Sequence, residues 1–137
     1  MKLTSAYLLI IATFCSVYAQ DYSVVVNKSS PLSEVSNSDL KRLYTGKAQA
    51  VNNVKCTPVN LSFDNAVSNK FIETVAGMSV VDYKSHWMAE QIRGGSTAPK
   101  ILKSADAVIT FLTENPEGIG YVEKATVTDA VKVLTVK

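Results

Sequence analysis

The alternation of strand-like and helix-like segments constrains the fold of this 137-residue chain more than any other feature. A β-branched run at 22–27 predicts a buried strand. The segments 36–39 and 79–82 both read Ser-x-x-Asp, a capping box in which the serine side chain accepts a hydrogen bond from a first-turn N–H. Ser104 can begin another helix in the same way. The resulting order, β-α-β-α-α-α-β-β, favours a small α/β sandwich over a bundle or a barrel.

Apolar residues at helical spacing predict which face of each helix is buried. Asp64 or Asn65 is expected to cap the second helix. The predicted buried faces are Leu40, Leu43 and Tyr44; Val67, Phe71, Ile72 and Val75; Tyr83, Trp87, Met88 and Ile92; and Ala105, Val108, Ile109 and Leu112. Strands are predicted at 22–27, 54–61, 119–122 and 131–136, with a loop at 96–100.

Residues 1–19 have the features of a secretory signal peptide. Lys2 is followed by an apolar run at 3–15, and Ala19 supplies the small residue before a cleavage site. The run is shorter than the ~20 residues that a membrane-spanning helix needs. We therefore expect cleavage after Ala19, a single mature domain at 20–137 in the periplasm, and no membrane span after cleavage. Only Cys56 then remains, so the domain must be stabilised by its core.

Composition argues against several classes of function. The balance of 14 Lys and Arg against 12 Asp and Glu leaves no basic stripe for nucleic acid. His86 is the only histidine, which disfavours a metal site, and no motif of a catalytic nucleophile or a nucleotide loop is present. We expect His86 to pair with Asp82 or Glu90 on its helix, and Cys56 to be a small buried hydrophobe. The chain is therefore expected to be neither an enzyme nor dependent on a cofactor.

Two segments could bind a ligand. The first, 61–68, joins a strand to a helix and offers Ser62, Asn65 and Ser68 beside the helical N–H groups, which can hold an anion. The second is Gly94-Gly95-Ser96-Thr97, whose glycines let successive amides turn inward. Both patterns also occur as an ordinary strand-to-helix turn and an ordinary helix end, and the sequence leaves these alternatives open.

Taken in order, the motifs resemble the phosphate-binding proteins of periplasmic ABC importers. The resemblance rests on 24–27, 40–47, 57–60, 92–95 and above all on Asn-Pro-Glu-Gly-Ile-Gly-Tyr-Val at 115–122. It implies an α/β fold, a single lobe of the type II periplasmic binding protein-like kind, with a mixed sheet flanked by helices. Where that family typically has Arg-Ser-Asp-Gly-Ser-Gly-Thr, this chain retains only Ser62, with Leu61 at the position of the arginine.

The resemblance implies an exported solute-binding-like domain linked to transport or sensing. Because leucine cannot make the bidentate contacts of arginine, we expect a small anion such as phosphate, or another polar solute, to bind weakly. The alternative is a structural or adaptor module that has kept the fold and binds a protein partner. In a single lobe the open face, with Leu61, Phe63 and Val67, is also expected to suit such a partner or a second copy.

The first prediction concerns export. Because the segment Val17-Tyr18-Ala19 follows a short apolar run, mass spectrometry of periplasmic protein should find Gln20 at the amino terminus. An intact species that begins at Met1 in the membrane fraction would contradict cleavage.

Overall fold

A five-stranded mixed sheet lies at the centre of this computed structural model, which describes residues 22–137. The predicted signal peptide, 1–19, lies outside the described residues. The strands are β1 Tyr22–Asn27, β2 Glu34–Val35, β3 Ala50–Val51, β4 Val54–Lys55, β5 Thr57–Leu61, β6 Lys100–Leu102, β7 Gly118–Glu123, β8 Val131–Val133 and β9 Thr135–Val136. The helices are α1 Asn37–Tyr44, α2 Ala66–Phe71, α3 Val80–Ile92 and α4 Ala105–Glu114, with a π-helical turn Ile72–Ala76 and a 3₁₀ turn Lys124–Thr126.

The strand order is β6-β5-β7-β1-β8, and the sheet mixes both pairing directions. Strand β5 runs parallel to β6 and to β7, whereas β1 runs antiparallel to β7 and β8. Two short pairs, β2 with β9 and β3 with β4, lie outside this sheet. The expected α/β class with a mixed sheet flanked by helices is confirmed.

Strand β7 shows how the helices divide between the two faces of the sheet, because successive side chains alternate between them. On one face a Cβ at Gly120 would lie 3.0 Å from Val108 of α4, so this helix lies directly on the glycine. On the other face the Tyr121 ring stacks on Phe71 of α2, with centroids 3.7 Å apart, and meets Tyr44 of α1 edge to face at 6.0 Å. The sheet therefore lies between α4 on one side and α1 and α2 on the other.

All four helix starts follow the predicted caps. The side chains of Ser36, Asn65, Ser79 and Ser104 each accept a hydrogen bond from a first-turn amide. At the second helix the cap is Asn65, one of the two expected residues, and its Oδ1 accepts from the Val67 N–H at 2.9 Å. None of α1 to α4 combines the length and the apolar character needed to cross a membrane.

Three expected boundaries were wrong. The segment 54–61 is two strands that break at Cys56, whose N–H donates to the Gln49 carbonyl at 3.0 Å. The segment 131–136 also breaks, at Leu134, because its end pairs with β2 instead of β1. Residue Lys100, expected in a loop, begins the edge strand β6, which gains its hydrogen bonds from β5.

The outer side of α3 differs from the prediction. Trp87 is buried as expected and only 8% exposed, whereas Met88 and Ile92, predicted to be buried, are 64% and 81% exposed. Met88 and Ile92 are exposed because α3 packs through Tyr83 and Trp87 next to the edge strand β6, so the other side of the helix faces solvent. Two apolar side chains of α3 are therefore open to solvent.

The packing of α4 on β7 predicts that one added methyl group at Gly120 lowers the stability of the fold. In Gly120→Ala the new Cβ would lie 3.0 Å from side-chain carbons of Val108 and of Val59, so these neighbours must give way by a few tenths of an ångström. We expect a loss of about 1–3 kcal/mol in the free energy of unfolding, measured by urea denaturation. Thr110→Ala on the exposed side of α4 is the control. An unchanged midpoint in Gly120→Ala would show that α4 does not pack on this glycine.

Candidate functional site

A buried polar network lies where β5 ends and the chain turns towards α2. Asn60, only 1% exposed, donates from Nδ2 to the Tyr83 hydroxyl at 3.1 Å and accepts at Oδ1 from the Tyr121 hydroxyl at 3.0 Å. The Tyr83 hydroxyl in turn donates to the Tyr44 carbonyl at 2.9 Å. One amide side chain thus connects β5 with α3, with β7 and, through Tyr83, with α1.

Burial controls the protonation of the hydroxyls in this network. Desolvation raises the pKa of Tyr121, Tyr83 and Tyr44, since a phenolate in an apolar interior would lose its hydration. The three phenols therefore remain neutral hydrogen-bonding groups. They suit the positioning of neighbouring elements and not proton transfer near neutral pH.

An apolar pocket, the α3 pocket, lies next to this network between α3 and β6. It has a volume of about 250 Å³, and Asn60 and Tyr83 line it together with Phe63, Trp87 and Ile101. The Trp87 indole N–H has no hydrogen-bond partner of normal geometry among residues 22–137, although its proximity to the Tyr83 hydroxyl offsets part of the rise that burial causes in the pKa of Tyr83. Sequence reasoning missed this pocket because its walls come from three separate segments.

Lys84 is the charged side chain in the lining of the α3 pocket. Its Nζ lies 5.3 Å from the centroid of the Phe63 ring, and the lining contains no acidic residue. Phe63 also meets Tyr83 edge to face, with centroids 5.9 Å apart. The pocket thus combines aromatic walls with a positive charge.

The first predicted ligand segment uses much of its polar capacity internally. The Oδ1 atom of Asn65 accepts the capping hydrogen bond of α2, and the backbone N–H of Asn65 donates to the Ser62 carbonyl at 3.0 Å. Ser68 is fully buried, and its hydroxyl donates to the Leu61 carbonyl at 2.8 Å and lies 2.8 Å from the Tyr121 hydroxyl. Of the three predicted donors, the half-buried Ser62 keeps its hydroxyl and the exposed Asn65 keeps its side-chain N–H groups for a solute, whereas Ser68 does not.

The second predicted segment closes α3. The N–H groups of Gly94 and Gly95 donate to the Gln91 and Glu90 carbonyls at 3.2 and 2.9 Å, and Gly94 has a left-handed φ of 67°. These amides therefore satisfy the end of a helix, where the partial charge is negative and disfavours an anion.

Ser96 and Thr97, the other two residues of the second segment, lie in different surroundings. The Ser96 hydroxyl donates to the Gly46 carbonyl at 2.9 Å. Thr97 is exposed and, together with Gln91 and the other residues of this segment, borders a surface hollow of about 350 Å³. Phe63 of the first segment lines the α3 pocket, and so does Ala98, the residue after the second segment.

His86 and Cys56 both have structural roles. The expected partner of His86 was a carboxylate, but its Nε2 lies 2.9 Å from the Thr45 carbonyl, so the imidazole donates to the end of α1. Cys56 is buried, and burial raises the pKa of its thiol. Within residues 22–137 no group of three or more His, Cys, Asp or Glu side chains is arranged to hold a metal ion.

Comparison with solved structures finds the same fold in phosphate-transport proteins. A Clostridium perfringens protein described as a phosphate ABC transporter substrate-binding protein, solved with bound phosphate, is 17% identical with a TM-score of 0.66. An ABC-type phosphate transport receptor from Vibrio cholerae is 18% identical, and PstS from Borrelia burgdorferi is 12% identical, both again with a TM-score of 0.66. At such identities the likeness shows the fold.

The matches also show how much of these proteins the chain represents. Each covers 85% of this chain but only 44%, 46% and 47% of the three proteins. The chain therefore spans less than half of their length, and the expected resemblance to a single-lobe form is confirmed. Neither the comparison with protein-family models nor the comparison with curated protein sequences finds a match.

The polar network predicts an unequal effect of two matched substitutions. Tyr121→Phe removes the donor to Asn60 Oδ1 and should cost about 1–3 kcal/mol, because a buried acceptor is left unsatisfied. Tyr22→Phe is the control, since that buried hydroxyl has no hydrogen-bond partner of normal geometry in the described part of the chain, although Thr74 is near enough to offset part of the rise that burial causes in the pKa of Tyr22. Urea denaturation of both variants measures the difference, and equal losses would contradict a special role for the Tyr121 hydroxyl.

Proposed function

We propose that the mature chain is an exported solute-binding-like domain of the periplasm that recognises a small anion or polar solute weakly and serves transport or sensing. The observation that carries this proposal is the fold match, which covers most of this chain and under half of each phosphate-transport protein. A single lobe of a solute-binding fold retains one wall of a ligand cleft. Periplasmic location and cleavage after Ala19 belong to the same proposal.

Weak binding follows from the chemistry of the retained wall. A lone lobe leaves half of a bound anion in water, where charge contacts are screened. Leu61 stands at the position of the arginine that the resemblance implies, and the exposed Asp64 brings a negative charge to the start of α2. Ser62 is left as the available hydroxyl. We therefore expect a dissociation constant for phosphate in the millimolar range.

The second candidate is an adaptor that has kept the fold and binds a protein partner. The observation in its favour is the exposure of Met88, Ile92 and Ile101, three large apolar side chains of α3 and β6. The surface expected for a partner was wrong in two of its three residues, because Leu61 and Val67 are buried in the core. Apolar side chains that cluster at a surface often mark a contact with another protein.

Calorimetric titration with phosphate, sulfate and acetate distinguishes the two candidates. The proposal predicts saturable phosphate binding at millimolar concentration that weakens in Ser62→Ala and not in Ser85→Ala, an exposed serine of α3. No detectable binding at about a hundred millimolar would contradict solute recognition and favour the adaptor. A dissociation constant below about ten micromolar for the monomeric chain would contradict the argument for weak binding.

A further inference from the structure

The α3 pocket has no part in the proposed recognition of a small anion at the Ser62 turn. Its walls are the rings of Phe63, Tyr83 and Trp87, whereas a fully hydrated inorganic anion gains little from such surfaces. A concave, mostly apolar cavity with a few convergent polar groups is the usual form of a site for a small organic molecule. The pocket is therefore a candidate binding site for a different kind of ligand.

Volume limits the size of that ligand. An engineered protein cavity of about 150 Å³ holds one benzene molecule, and the α3 pocket measures about 250 Å³. The space thus suits one aromatic ring, or an apolar body of similar bulk, with a short substituent. Ala98, Met88 and Ile101 line the pocket and are exposed, so they form its mouth.

Lys84 defines the remaining chemistry. Lys84 makes no ion pair among residues 22–137 and contacts the face of Phe63 instead, so its charge is available at the pocket. Asn60 also lines the pocket, but it is only 1% exposed and its amide donates to Tyr83. No acidic side chain lines the pocket, so the local charge favours an anionic ligand.

We propose that the α3 pocket binds a small organic carboxylate with a one-ring or similarly compact apolar body. The ring packs between Phe63 and Trp87, and the carboxylate lies at the Lys84 ammonium. The lining contains Phe63, next to Ser62, but not Ser62 itself. Failure of this proposal therefore leaves phosphate recognition standing, and failure of phosphate recognition leaves this proposal standing.

Trp87 provides a direct readout because it is the only tryptophan of the chain and lines the pocket. Phenylacetate, phenylacetamide and acetate are titrated into the mature protein while Trp87 emission and the heat of binding are followed. Burial of the ring should make phenylacetate bind about tenfold to a hundredfold tighter than acetate. The charge should make it bind more tightly than neutral phenylacetamide.

Two variants locate the ligand. Lys84→Met keeps the apolar stem and should weaken phenylacetate about threefold to fivefold without affecting phenylacetamide, whereas Lys28→Met, at an exposed lysine outside the lining, should change neither. Ala98→Phe adds bulk at the mouth and should weaken both ring ligands. Because Lys84 and Ala98 are exposed, both variants should retain the far-UV circular dichroism of the parent protein.

Three results would overturn the proposal. Phenylacetate that binds no tighter than acetate would show that the pocket does not take a ring. An equal effect of Lys84→Met on phenylacetate and phenylacetamide would show that the carboxylate does not lie at Lys84. A Trp87 emission change that follows protein concentration and not ligand, with dimers in analytical ultracentrifugation, would assign the pocket to a second copy of the chain.

Discussion

The buried side-chain amide of Asn60 is the constraint on which the rest of the structure depends. A buried amide without partners costs about 1–3 kcal/mol, so the elements around it must supply a donor and an acceptor. Tyr121 of β7 supplies the donor at 3.0 Å, and Tyr83 of α3 supplies the acceptor at 3.1 Å. Tyr83 then reaches the carbonyl of Tyr44 at the end of α1. Polar contacts thus fix the position of α3 on the sheet, and with it the walls of the α3 pocket.

Sequence predicted those parts of the fold that depend on local interactions. A capping side chain and its amide lie two or three residues apart, so all four helix starts could be placed. The edge strand β6 has only three residues and exists because β5 pairs with it, which no local pattern shows. The prediction that Met88 and Ile92 are buried was wrong for a related reason. Helical spacing identifies an apolar face, but only the neighbouring elements decide whether that face is covered, and α3 leaves it open.

The candidate site shows the same division between local and tertiary information. Polar and glycine-rich turns are visible in the sequence, yet the structure uses the Gly94 and Gly95 amides to end α3 and the Ser68 hydroxyl to complete the core. The α3 pocket could not be read from one segment, because Phe63, Trp87 and Ile101 meet only in the folded chain. The chain thus shares its fold with part of each phosphate-transport protein, and its α3 pocket borders the Ser62 turn through Phe63.

The central claim is that the Asn60 network makes α3 part of the same cooperative unit as the sheet. Native-state hydrogen exchange of the mature chain tests it directly, since the free energy of opening is measured amide by amide. The account predicts that the central amides of α3 exchange with the same opening free energy as those of β5 and β7, which is the free energy of global unfolding. Exchange of α3 through an opening several kcal/mol easier than that of β5 and β7 would contradict it.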